Sequence, residues 1–213
     1  MNSTALTAVD PLDTSLRETV PSTVEPPVPD RPRVLLYGTA LACAGVMMLM
    51  AGLVGIYIRT RAEVIATGEV WLPSGVTIPL TQPNMMAITM VFSVFIMIWA
   101  VSSLARGDRA MTYVALGLVL LMGFSVIAQT GYLLTIMDLA IASDDRAPLI
   151  YGVIGTHLAL LGAAMVFVAV MTLRALGGEY STKDREGIYA AAMFWYVTVF
   201  LYMVVWFTIY ITK

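Results

Sequence analysis

The sequence predicts an all-α, polytopic membrane protein, a bundle of five transmembrane helices, and three observations predict it. Of the 213 residues, 59% are hydrophobic and 12% are charged, whereas soluble domains average ~45–50% apolar and ~25% charged. Five apolar stretches are each long enough to cross the ~30 Å hydrocarbon core of a bilayer at ~1.5 Å rise per residue. Two of them carry small residues at helical spacing, as helix association in lipid requires, because apolar burial drives little association there and close backbone approach must do the packing.

The first stretch, residues 34–58, reads VLLYGTALACAGVMMLMAGLVGIYI without a charge. Gly38, Ala42, Gly45 and Gly52 recur in steps of 4, 3 and 7, which places them on one stripe. Before it lies the segment 1–33, rich in Ser, Thr, Pro, Asp and Glu and ending in PPVPDRPR. Such a segment cannot bury enough apolar area to offset its ordering entropy, so a disordered, solvated tail is expected, with a tether to a neighbouring subunit as the alternative. It has no apolar core flanked by basic residues, so it does not read as a signal peptide.

Residues 59–83 read as a loop, since Pro73, Gly75, Pro79 and Pro83 oppose a long regular helix. Trp71 within it is expected at the membrane–water boundary. Gln82-Pro83-Asn84 then opens the second span, 85–105, with Trp99 near its far end. A short polar turn, Arg106-Gly107-Asp108-Arg109, leads to the third span, 111–134. Gln129 in that span needs hydrogen-bond partners, from a neighbouring helix or from the headgroup region. An acidic loop containing Ser143-Asp144-Asp145 precedes the fourth span, 148–173. Gly152, Gly155, Ala159 and Gly162 form a second small-residue stripe there, suited to packing against the first helix or a partner subunit. The fifth span, 188–211, is strongly aromatic, and Tyr202, Trp206 and Tyr210 share a face at i, i+4 and i+8.

Basic residues beside the spans favour a cytoplasmic N-terminus. Arg17, Arg31, Arg33, Arg106, Arg109, Arg174, Lys183 and Arg185 then lie inside, against Arg59, Arg61, Arg146 and Lys213 outside. Five spans put the C-terminus outside. The net charge of −2 offers no basic patch for nucleic acid. One cysteine, Cys43, and one histidine, His157, exclude a disulfide framework and a metal site built from Cys and His of this chain alone. Cys43 reads as a small packing residue. His157 is the one ionisable side chain in the apolar cores. A structural hydrogen bond is its expected role, with a proton carrier or a haem ligand as alternatives. No line of Asp, Glu or Lys crosses the membrane, as a proton pump or cation channel of known type requires. No pair of broken helices in two halves marks a secondary transporter, and no nucleotide-binding or nucleophile-elbow motif is present. The residues alone therefore predict no catalytic, metal or cofactor site in this chain. They describe a silent bundle that serves a partner, with a small transporter or a stand-alone lipid-binding protein as the contrasting class.

The order of several short motifs resembles subunit III of the haem–copper cytochrome c oxidases, in a divergent, bacterial, five-helix form. Ala51-Gly52 and Tyr57 resemble the family's Ala-Gly followed by aromatics. Trp71-Leu72-Pro73, then Ile78-Pro79-Leu80 and Asn84, resemble its Trp-Pro-Pro loop leading to an Asn. Trp99-Ala100 with Ser102-Ser103-Leu104, Gln129, and Gly155-Thr156-His157 follow in the family's order. Ala190-Ala191-Ala192 to Trp195, and Thr208-Ile209-Tyr210, resemble its closing helix. The family's intramembrane acidic positions are replaced, by Val46 beside Gly45 and by Gly131 and Tyr132 after Gln129. Leu160 stands at its second motif His, and Tyr196-Val197-Thr198-Val199 at its His-Phe-Val-Asp.

The resemblance implies a redox-silent accessory subunit of an aerobic respiratory chain, in the bacterial cytoplasmic membrane. Its partner would be the oxidase's catalytic subunit I, which would hold the haem and copper, together with other subunits and membrane lipids. Bound phospholipid is implied in a cleft, one wall of which another chain would have to supply. The missing acidic positions keep open an accessory subunit of a nitric-oxide reductase, which shares this fold.

Overall fold

The computed structural model describes residues 33–72, 76, 78–137, 146–178, 180 and 185–212. The expected tail up to residue 32, Pro73 and Gly75 of the first loop, the acidic Ser143-Asp144-Asp145 and Lys183 lie outside the described residues.

Five helices form: α1 (Val34–Ala66), α2 (Thr81–Ala105), α3 (Arg109–Ile136), α4 (Ala147–Leu176) and α5 (Glu186–Val205), the last continuing as a π-helical turn over Trp206–Ile211. All five are long and apolar enough to cross a membrane, and no strand occurs among the described residues. Helix α1 runs two turns past its predicted end at Ile58. The first proline downstream is Pro73, so nothing between Arg59 and Ala66 breaks the helix, and an Arg59–Glu63 pair supports it at i, i+4. It stops where Gly68 takes φ +85°, a left-handed conformation open to glycine.

The α2–α3 corner closes in the same way. Gly107 has φ +79°, its N–H reaches the Leu104 carbonyl, and the Asp108 N–H reaches that of Ser103. The Asp108 carboxylate then accepts the Met111 N–H at 3.1 Å and caps α3. Tight reversal brings α2 and α3 into the most extensive helix pair. Helices α2, α3, α4 and α5 pack in a ring, each on the next, and α5 closes it against α2. Helix α1 lies outside that ring, on α5 and α4.

Helices α1 and α5 run parallel and cap each other. Glu186, in the first turn of α5, accepts the Leu36 N–H of α1 at 3.0 Å. At the opposite end the Arg61 guanidinium of α1 donates to the Thr212 carbonyl just beyond α5. A carboxylate at a helix N-terminus and a guanidinium at a C-terminus both oppose the exposed end of the helix dipole.

Candidate functional site

The interior is held by polar handles on aromatic rings. Trp195 is fully buried, and its Nε1–H donates to Ser93 Oγ on α2 at 2.9 Å. The ring fits because residue 123 is glycine. A Cβ there would lie 2.7 Å from Met165 Sδ and 3.2 Å from Trp195 Cη2. The Tyr202 hydroxyl donates to the Pro83 carbonyl at 2.9 Å, and Trp206 Nε1–H donates to Asn84 Oδ1 at 2.9 Å. Tyr202 and Trp206 therefore meet the first turn of α2, and Tyr202 and Tyr210 are buried. Asn84 serves as an acceptor across helices rather than as a cap of its own.

His157 is 5% exposed and its Nε2–H donates to the Thr198 carbonyl at 3.2 Å, with the ring 5.2 Å from that of Tyr202. This hydrogen bond answers the desolvation cost of a buried imidazole. Cys43 is also buried, on the inner face of α1 with Thr39, Met50, Val54 and Tyr57. Among the described residues no three His, Cys, Asp or Glu side chains gather as a metal ion would need.

Trp71 is buried within the chain, donating to the Tyr57 hydroxyl at 3.1 Å with the two rings edge to face at 5.4 Å. Arg146, just before α4, covers it. The guanidinium lies 5.9 Å from the ring centroid, donates to the Val70 carbonyl at 2.7 Å and to that of Trp71 at 3.1 Å, and pairs with Glu69. One arginine thus ties the loop after α1 to the start of α4.

The two small-residue stripes are placed differently from the interior glycines. Gly38, Ala42, Gly45 and Gly52 on α1 are exposed, as are Gly152, Gly155 and Ala159 on α4, while Gly162 is half-buried. A Cβ at any of these six glycines would meet nothing within 4 Å. The stripes do not pack against each other within this chain, because the buried faces of α1 and α4 are made by larger residues such as Met50, Tyr57, Leu161 and Val168. Gly38 and Ala42 instead line an open apolar groove of about 350 Å³, with Phe167 of α4 and Phe194 of α5 on its other side.

Gln129 is half-buried. Its Nε2–H donates to Ser125 Oγ one turn earlier, at 3.1 Å, rather than to another helix. The glycines that do admit close packing, Gly123 and Gly187, were not among the stripe positions. At Gly187 a Cβ would collide with the Tyr180 hydroxyl. Gly123 had a readable signal, the large Trp195 that needs room, but no periodicity to point at it.

No family model matches the sequence. Curated proteins do. The chain is 26% identical over 176 residues to cytochrome c oxidase subunit 3 of Oncorhynchus clarkii and of Oncorhynchus mykiss, covering 79% of this chain and 67% of each relative. It is 25% identical over 185 residues to cytochrome c oxidase subunit 3 of Pelomedusa subrufa, covering 83% of this chain and 69% of the relative. Along most of its length, and at about a quarter identity, this five-helix membrane chain is similar to cytochrome c oxidase subunit 3.

Proposed function

We propose that this chain is a redox-silent accessory subunit of a respiratory haem–copper terminal oxidase. It packs on the catalytic subunit I, which carries the haem and copper, and stabilises it in aerobic electron transport. The similarity to cytochrome c oxidase subunit 3 over most of the chain is the observation that carries this reading. The outward stripes of α1 and α4 support it, since small side chains facing away from their own bundle are where another helix can approach closely. The chain's part in the chemistry is mechanical. It holds apolar surface against the partner and keeps water and detergent from it, and O2 is reduced elsewhere. The resemblance to the bacterial five-helix form supports a bacterial cytoplasmic membrane, and the distribution of basic residues favours the N-terminus inside and the C-terminus outside. Phospholipid acyl chains are the natural filling of the groove beside Phe167 and Phe194.

One feature favours a second reading. In the motif resemblance Val46, Gly131 and Tyr132 take the places of the family's acidic groups, which suits an accessory subunit of a nitric-oxide reductase equally well. Deleting the gene for this chain and measuring both activities of the membranes separates the two. Loss of O2 reduction with NO reduction intact supports the oxidase. The reverse supports the reductase, and loss of neither sinks both.

A further inference from the structure

One outer face of α3 differs from the rest of the exposed surface. Val114, Leu118, Leu121, Ser125, Gln129 and Tyr132 follow in steps of 4, 3, 4, 4 and 3, so they form a single seam along the helix. Val114 is 52% exposed, Leu121 64% and Tyr132 57%, Ser125 is exposed, and Leu118 and Gln129 are half-buried. The seam lies away from the buried face made by Thr112, Leu116, Val119, Val126 and Leu133.

Within this apolar seam sits a polar pair. Three threonine hydroxyls on the spans bond carbonyls of their own helix. Thr89 donates to the Met85 carbonyl at 2.8 Å, Thr172 to that of Val168 at 2.7 Å, and Thr135 to that of Tyr132 at 2.7 Å. A carboxamide cannot close in this way. It offers two N–H donors and a carbonyl with two lone pairs. The bond to Ser125 uses one donor, and among the described residues Gln129 has no second partner. Helix α3 is 28 residues long, about 42 Å. With the helix centred in a ~30 Å hydrocarbon slab, Gln129 lies about 5 Å inside it and Ser125 about 11 Å. An amide left there against acyl chains bears the desolvation cost of its unpaired groups.

We propose that this seam of α3 is the docking face for a transmembrane helix of the partner subunit. That helix presents a hydrogen-bonding side chain, a carboxamide, carboxyl or hydroxyl, to the free carbonyl and N–H of Gln129. The inference rests on the accessory-subunit reading above and names its contact face. Tyr132, one turn nearer the membrane surface, and Leu121, below the amide, frame the polar contact with apolar area.

The test uses the complex purified from native membranes through a tag on the full-length chain. A photo-crosslinking phenylalanine analogue replaces Leu121 in one variant. In another it replaces Phe200, similarly exposed on α5 and on neither small-residue stripe. The expected result is a crosslink from position 121 to the partner subunit and none from position 200. Gln129→Leu should lower partner retention in detergent by about fivefold, with Gln129→Asn partly restoring it. The amount of full-length chain in the membrane should not change. Crosslinks from position 121 to lipid alone or to a second copy of this chain, or full partner retention in Gln129→Leu, would overturn the seam. They would leave the accessory role standing if the wild-type chain still brings down its partner. A wild-type chain that brings down no partner would instead overturn the accessory reading itself.

Discussion

The first and last helices of this chain lie side by side and parallel, yet they are used in opposite ways. Both are apolar enough to cross a membrane. Burial inside the protein differs: 22% of the apolar part of α1 against 56% of that of α5. The difference follows side-chain chemistry rather than hydropathy. Helix α5 carries Trp195, Tyr202 and Trp206, rings with an apolar body and one polar atom, and each of those atoms reaches an acceptor on α2. Such a ring is worth burying only where an acceptor waits. Helix α1 has Gly38, Gly45 and Gly52, which offer no side chain to bury, and they face outward. In lipid, apolarity says that a helix spans; donors, acceptors and shape decide which side faces in.

The sharpest break of this comparison is an interior glycine. Gly123→Leu drives a branched side chain into Met165 and Trp195, and should cost about 3 kcal/mol or more in detergent unfolding. Next is the handle itself. Trp195→Phe replaces the indole by a smaller phenyl ring, removing the donor to Ser93 Oγ and opening a gap over Gly123, for about 2 kcal/mol, while Tyr202→Phe removes only the bond to the Pro83 carbonyl, for about 1 kcal/mol. Smaller still is the loss of one trans cap. Glu186→Gln should cost about 0.5 kcal/mol and expose the first turn of α1 to faster amide exchange, with the rest of the helix unchanged. The smallest effect on the chain's own stability belongs to the outward stripe. Gly45→Leu should change it by less than about 0.5 kcal/mol. The same substitution should lower the yield of intact complex, measured by native gel. If it destabilises the chain as strongly as Gly123→Leu, α1 and α5 do not differ as described.

These effects also mark what was legible in the sequence. The five spans could be read from uncharged length alone, and the ends were displaced only where a helix had no reason to stop, as at Arg59–Ala66. The aromatic face of α5 was readable as a face, but its direction depended on acceptors at Pro83 and Asn84, more than a hundred positions away. The small-residue stripes were readable as stripes, and periodicity does not say whose helix they meet. Gly123 and Gly187 escaped periodicity for the opposite reason: each is a single gap, filled by Met165 and Trp195 at the first and by Tyr180 and Met171 at the second. His157 and Gln129 look alike as polar residues in apolar spans. One reaches across to the Thr198 carbonyl of α5, the other only back to Ser125 on its own helix.

The central claim is that this chain supplies surface and packing while the redox chemistry sits in a neighbour. A reduced-minus-oxidised spectrum, taken with a subunit inventory on material purified through a tag on this chain, tests it most directly. The account predicts haem bands that travel with a larger co-purified subunit and vanish when that subunit is stripped away. Haem bands that stay with the stripped chain, or a tagged preparation that brings no haem-bearing subunit with it, would contradict the account.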